Sequence, residues 1–328
     1  MKQLLIILVP VLFLAVNGAA APLAARDSPV KESQGASEPP GDVNNPEDTL
    51  PTWEQRSSPQ SSYFGKKSDR PVSAHKINYF AIDRWPGNNH AQVKFQISMK
   101  FRVLEPNLYV LKYNLFPAYI AYSQKSLWNA GSDSMPFEES NYNPEFFLDY
   151  PVSFFSVGRI KLRNIVVCLL EHQSNGLNGV QSRSWNRQYV MFKFGIESRE
   201  RLEIANSFLA DKASLYVKLW QASGYSTQDD YLRALGRDAR FPDYMGRGEV
   251  GVSVRNFLWR GSFKNHQLEV KTPIFRDPGR DSYEVEFRQQ FPYMNFAIYL
   301  QYWHGYGETL LRFDRYGRRG FAGLSFSY

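Results

Sequence analysis

Cysteine is almost missing from this chain: 328 residues contain one, Cys168. An internal disulfide framework is therefore excluded. Cys168 lies within the apolar run Ile165 to Leu170, far from the N-terminus, and reads as an inert, small apolar residue rather than a lipid anchor or metal ligand. Long apolar runs are scarce too. After the first 25 residues no segment approaches the roughly 18–20 apolar residues that a spanning helix requires, so a membrane form of this protein is not helical. Gly-rich phosphate loops and Cys/His metal spacings are lacking as well. The formal net charge is +7, but the basic residues are scattered singly and form no run. Attraction to anionic headgroups or acidic surface sugars fits that distribution better than nucleic acid does.

The start of the chain has Lys2, an apolar run from Leu4 to Val16 and small residues from Gly18 to Ala21. Residues 1–25 therefore read as a removable export signal. Residues 26–73 are rich in Ser, Pro, Gly and charge, as in Glu38-Pro39-Pro40-Gly41. They bury too little apolar surface to offset their ordering entropy and read as a leader without fixed structure.

From Ala74 to Tyr328 the pattern changes to period two. Val93, Phe95, Ile97, Met99, Phe101 and Val103 alternate with Lys94, Gln96, Ser98, Lys100 and Arg102. Eleven residues at about 3.3 Å each, tilted, cross a bilayer as a strand. The alternation recurs around Val250 to Val254 and Tyr283 to Phe287, and again at the end in Ala322, Leu324, Phe326 and Tyr328. About twelve strand-like segments can be counted, an even number as closure requires, and aromatics near strand ends suit interfacial girdles. The expected fold is all-β: a twelve-stranded antiparallel transmembrane barrel of the outer membrane.

Within that pattern stands His172-Gln173-Ser174-Asn175-Gly176, followed by Ser182-Arg183-Ser184-Trp185-Asn186-Arg187. His172 and Ser174 are two apart on one strand, so their side chains leave the same face with α-carbons about 6.5–7 Å apart. A hairpin returns Asn186 beside His172, where its amide oxygen can accept the ring proton and fix the tautomer. Parity matches His172 and Ser174 with Val166, Cys168 and Leu170, and Asn186 with Val190, Phe192 and Phe194. Arg187 and Lys193 take the luminal parity. The catalytic groups are thus expected to face lipid.

The run from Glu171 to Arg187 resembles the outer-membrane phospholipase A family. So do Tyr122-Ser123-Gln124-Lys125-Ser126-Leu127-Trp128, Pro136-Phe137-Glu138-Glu139-Ser140-Asn141-Tyr142-Asn143-Pro144-Glu145, and Gly305-Tyr306-Gly307-Glu308-Thr309-Leu310. The resemblance extends from about Ile77 to Tyr328 and implies a calcium-dependent phospholipase in the Gram-negative outer membrane, active as a homodimer. On that resemblance Ser174 is the nucleophile, His172 the base, Asn186 its orienting partner, and the Gly176 amide an oxyanion donor. It also implies calcium held by the Ser182 hydroxyl and the Leu177 carbonyl, with the Ser134 hydroxyl arriving from the other subunit. Asn178 and Gly179 stand where some relatives carry an acid, which implies weak calcium affinity and argues against a second ion.

Gln124 shares parity with Ile120 and Tyr122 and directs an amide at the bilayer, which is costly without a partner. A second Gln124 across a two-fold interface supplies one. Of the remaining candidates, His75 and His90 are expected to meet solvent, His266 to be luminal or in a turn, and His304 to abut girdle aromatics. Glu138 and Glu139 read as a solvated loop pair. Two other classes remain open: an inert or pore-forming barrel, and a soluble secreted β-binding protein.

Overall fold

Strands with one apolar and one charged face can satisfy every backbone group in lipid only by closing on themselves, and this chain does so. The computed structural model describes residues 71–83, 91–104, 109–110, 113–114, 118–152, 154–204, 208–226, 241–257, 265–291 and 293–326. The chain divides after Leu50, and the described residues all belong to the unit Pro51–Tyr328. The export signal expected at 1–25, the leader up to Arg70, and His90 lie outside the described residues. Among the described residues no helix is long and apolar enough to cross a membrane.

Twelve antiparallel strands form the barrel. β1 is interrupted, running Val72–Ala74 and Asn78–Asp83. β2 is Gln92–Arg102, β3 Ala118–Trp128, β4 Phe137–Pro151, β5 Ile160–Ser174 and β6 Ser184–Ile204. β7 is Phe208–Ser226, β8 Gly248–Arg255, β9 His266–Ile274, β10 Ser282–Gln290, β11 Phe296–Gly305 and β12 Gly317–Phe326. Each strand pairs with the next in sequence, and β12 closes on β1, with Ala322 opposite Ile82 and Phe326 opposite Asn78. Pairing of Val72 with Phe101 puts the barrel's beginning at Val72, two residues ahead of the expected boundary at Ala74.

The barrel is inside out relative to a soluble protein. On β2, Ile97 is 51% exposed and Lys94 only 2%. The lumen holds its charges in pairs, as buried charges require. Glu145 accepts from Lys76 at 2.6 Å and from Tyr189 at 2.9 Å, Glu171 meets Arg187 at 2.6 Å, and Lys271 lies between Glu284 and Glu286. His75, expected in solvent, belongs to this network: it is buried, and its Nε2 lies 3.1 Å from Glu145. The carboxylate that holds it is 70 positions away, beyond the reach of any local pattern. His266 is buried at the start of β9.

One bulge changes the face that the sequence assigns. Asn186 pairs with His172 and Arg187 with Glu171, yet Tyr189 pairs with Cys168, so β5 carries an extra residue there. Leu169 and Leu170 are consecutively exposed, at 46% and 57%. Expected parity placed Val166 and Cys168 on the same face as His172. The structure turns both inward, opposite Met191 and Tyr189, while Leu170, His172 and Ser174 remain outward. A one-residue insertion in one strand reverses facing for everything beyond it.

The rim reached by the C-terminal end of β5 is closed on its inner side by aromatics. α1, Phe241–Met245, follows β7 and buries Phe241 and Tyr244. Phe241 packs edge-on against Trp185 at 5.0 Å and Phe313 at 4.8 Å, and Trp185 against Trp220 at 6.1 Å. Beneath them lies a polar cavity of about 330 Å³ lined by Glu145, Glu171, Lys218 and Lys271 among others.

Candidate active site

Two adjacent strand ends and one tight loop build the site. Ser174 ends β5 and pairs with Ser184 at the start of β6; two pairs further in, His172 faces Asn186. The connection 175–183 is organised by Asn175, which is buried. Its Oδ1 accepts the amides of Leu177 (3.3 Å) and Arg183 (2.9 Å), and its Nδ2 donates to the Gln181 carbonyl at 2.8 Å. Its own amide donates to the Arg183 carbonyl at 2.9 Å. Arg183 ties the far side, donating to the carbonyls of Val180 and Ser182. A single asparagine thus satisfies three backbone groups through its side chain that an irregular loop leaves open.

The Nδ1 atom of His172 lies 2.7 Å from Asn186 Oδ1. An amide oxygen only accepts, so the imidazole carries its proton on Nδ1 and keeps a lone pair on Nε2. The Ser174 Oγ accepts the Gly176 amide at 3.1 Å. Gly176 has φ +66°, and a Cβ there would stand 2.7 Å from Cε2 of Tyr142. The left-handed backbone favours glycine here, and any side chain would also have to displace that ring.

Tyr142 itself pairs with Ser174 on one side and Gln124 on the other. One outward row therefore runs Ile97, Gln124, Tyr142, Ser174, Ser184 across five strands. Gln124 was expected to need a partner from outside the chain. The structure gives it two on its own strand: Tyr122 Oη donates to its Oε1 at 3.1 Å, and its Nε2 donates to Ser126 Oγ at 3.3 Å. Residues two apart on a strand share a face, which is why this local solution exists.

The inner face of the same strands acts as a buttress. Trp185 donates to Gln173 Oε1 at 2.9 Å, and the Arg187 guanidinium lies 4.0 Å over the Trp185 ring while pairing with Glu171. Leu177 and Ser182 share the loop 175–183. Ser134 sits exposed in the β3–β4 turn, which Trp128 fixes by donating to the Met135 carbonyl at 2.8 Å. Glu138 and Glu139 are more than a solvated pair: Glu139 is buried and accepts the Leu311 amide at 3.0 Å, and Glu138 pairs with Arg312 at 2.9 Å. They tie the β11–β12 loop to β4. In that loop, burial works against ionisation of Glu308, but Lys94 (3.1 Å) and Arg319 (3.3 Å) hold its carboxyl below the usual range. His304 does abut girdle aromatics, stacking on Tyr283 at 4.7 Å.

Sequence reasoning brought together His172, Ser174, Asn186 and Gly176, and the structure places these four in one cluster. It gave no role to Asn175, Tyr142, Phe241 or the luminal carboxylates. Asn175 and Tyr142 lie inside the motif runs, so a signal existed for them; for Phe241 there was none.

The fold and the site define a class: a closed barrel of the Gram-negative outer membrane with histidine, serine and an amide grouped on its outer wall. The sequence profile described as phospholipase A1 matches residues 60–326, and the chain belongs to that family. It is 29% identical over 249 residues to the phospholipase A1 of Proteus vulgaris, covering 73% of this chain and 71% of that one. A relative from Neisseria meningitidis serogroup B is 27% identical over 233 residues, 71% of this chain; the match spans only 53% of that relative's length. The Salmonella typhi outer membrane phospholipase dimer with bound calcium has the same fold, with TM-score 0.60 and 23% identity over 82% of this chain and 97% of that one.

Proposed function

We propose that this chain is a calcium-dependent outer-membrane phospholipase that hydrolyses acyl ester bonds of glycerophospholipids by a serine mechanism, with A1, A2 and lysophospholipase activity, and that it works as a homodimer. The observation that carries the reading is the 2.7 Å contact of His172 with Asn186, on the outward face that also presents Ser174. Ser174 Oγ attacks the ester carbonyl as His172 Nε2 takes its proton, and Asn186 accepts the Nδ1–H that becomes more acidic as the ring charges. The Gly176 amide, which donates to Ser174 Oγ, would turn to the developing oxyanion. Proton return from His172 to the leaving alcohol, then attack of water on the acyl-serine, completes the cycle.

The oxygens present suit a hard cation. No group of three His, Cys, Asp or Glu able to hold a metal occurs among the described residues; the donors the resemblance implies for calcium are neutral oxygens. Ser182 hydroxyl and Leu177 carbonyl are such donors on one loop, and Ser134 of the partner subunit would add a third. Bound calcium would polarise the ester carbonyl. Dimerisation through Gln124 would exchange its two same-strand contacts for contacts across a two-fold axis, and the relative seen as a calcium-bound dimer supports that reading. A pore is the less favoured reading, because Trp185, Phe241 and Phe313 pack into one buried aromatic cluster on the inner side of this rim.

The test is to label the detergent-folded barrel with a hexadecyl sulfonyl fluoride and map the modified peptide, alongside fatty-acid release with calcium or chelator. Modification at Ser174 and release only with calcium are expected. Labelling elsewhere, or equal release with chelator, would overturn the reading. Ser174→Ala and His172→Ala should each abolish release while preserving heat-modifiable gel mobility.

A further inference from the structure

A proline inside a β-ladder removes a backbone donor, and the strand beside it keeps an acceptor with nothing to accept. β4 contains such a proline. The register from Tyr142 opposite Ser174 to Glu145 opposite Glu171 sets Asn143 against Gln173 and Pro144 against His172. The chain therefore offers no ladder N–H at the one position of β4 that faces the expected base.

The carbonyl of His172 nevertheless has a donor. Asn143 Nδ2 reaches it at 2.8 Å, which also shows that this carbonyl points toward β4. The same amide group lies 3.3 Å from Glu171 Oε1, and Asn143 Oδ1 accepts from Lys76 Nζ at 2.7 Å. Asn143 is buried on the luminal face, fixed at both ends of its amide. His172 is thereby held from both neighbouring strands: its ring by Asn186 on β6, its backbone by Asn143 on β4.

We propose that Asn143 is a positioning residue for His172: its side-chain amide stands in for the backbone donor that Pro144 removes, and so holds the strand segment that carries the base. The inference rests on the hydrolase reading above. An unsatisfied carbonyl between two strands relaxes by moving the strand, and a displacement of about 1 Å at a catalytic group costs on the order of a hundredfold in rate.

The experiment uses the calcium-loaded, detergent-folded barrel and reads kcat and KM for fatty-acid release in four forms: wild type, Asn143→Ala, Pro144→Ala and the double variant. Asn143→Ala should lower kcat roughly ten- to a hundredfold with KM within about twofold, because the substrate is not touched. Pro144→Ala alone should stay near wild type. The double variant should return to within about threefold, since Pro144→Ala restores a backbone N–H facing the His172 carbonyl. That rescue separates the two explanations: the restored N–H cannot replace the contacts of Asn143 with Lys76 or Glu171, so a merely structural loss would persist in the double variant. Wild-type kcat in Asn143→Ala, or a double variant no better than the single, overturns the inference. If Asn143→Ala fails to give a heat-modifiable barrel, recovery of folding on adding Pro144→Ala supports the substitution of donors and its absence refutes it. An inactive wild type with unlabelled Ser174 sinks the hydrolase reading itself, an outcome distinct from any variant pattern.

Discussion

Asn186→Ala isolates what a neutral amide contributes beside a histidine base. The contact is 2.7 Å, half-buried, on the outer wall. With a neutral imidazole it is an ordinary hydrogen bond, worth about 1 kcal/mol net. As the ring takes the serine proton, the bond becomes charge-assisted and roughly twice as strong. Only the difference accelerates the chemistry, and about 1 kcal/mol is roughly fivefold in kcat. Losing the partner also frees the tautomer and the ring torsion, so the total expected fall is roughly ten- to a hundredfold. Fatty-acid release from mixed micelles at saturating calcium measures it, with Ser174→Ala as the zero. An unchanged kcat would mean that Asn186 orients nothing. A loss as complete as that of Ser174→Ala would mean that it does more than orient.

Further outcomes are expected. Gly176→Ala adds a Cβ against the Tyr142 ring at a backbone angle costing an L-residue about 1–2 kcal/mol; kcat should fall by about a hundredfold or more with the melting temperature only modestly lower, because the amide is turned away, and a fully active variant would refute the demand for a left-handed glycine at this position. Cys168 faces inward and is buried, so in the folded barrel it should resist both water-soluble and lipid-soluble maleimides and react only on unfolding. Rapid labelling by the lipid-soluble reagent would return it to the outer wall and refute the bulge. Glu308 has a folded pKa below its unfolded value, so its contribution is present above about pH 4.3 and fades as pH falls through the folded value. Wild type should therefore lose more stability than Glu308→Gln between about pH 5 and pH 3 in denaturant titrations, and parallel curves would contradict the ion pairs with Lys94 and Arg319.

What was legible in the sequence is what alternation and short separations encode. Ile97 against Lys94 and Ser98 is decided by neighbours a few positions away, so the inside-out strand of β2 could be read directly. Asn186 opposite His172 follows from a hairpin of modest length. The bulge at Leu169 could not be read that way, because Val166, Cys168 and Leu170 look equally apolar, and only the pairing with Tyr189 and Arg187 reveals the extra residue. Likewise, the ion pairs of Glu145 with Lys76 and of Glu308 with Lys94 join residues 69 and 214 positions apart. Their partners are chosen by barrel closure, which no local pattern reports. Gln124 shows the opposite case: its partners within the chain, Tyr122 and Ser126, are as local as a strand permits, each two positions away on the same face.

The bulge and the asparagine hub together explain why a polar trio can stand on a lipid-facing wall. Continued without the extra residue, the inward parity of Val166 and Cys168 would carry His172 and Ser174 into the lumen, beside Glu145 and Lys218, where no bilayer lipid reaches. Insertion at Leu169 turns them outward only for the last few positions of β5, where the strand is about to end. Below them the wall stays apolar, with Leu169 and Leu170 exposed and Tyr122 and Ile120 outward on β3. Above them Asn175 folds the chain back at once, so backbone amides and oxygens of 175–183 stand next to the hydroxyl rather than deep in hydrocarbon. The trio thus sits where an outward, apolar wall meets the polar loop of the rim. The cost of directing His172, Ser174 and Asn186 outward is limited because each is within a turn of the rim and the ring is already partnered. The same geometry makes the site sensitive to the neighbouring strand, since a segment bent by a bulge and facing Pro144 has lost part of its ladder twice within four residues, and side chains must hold what the sheet does not.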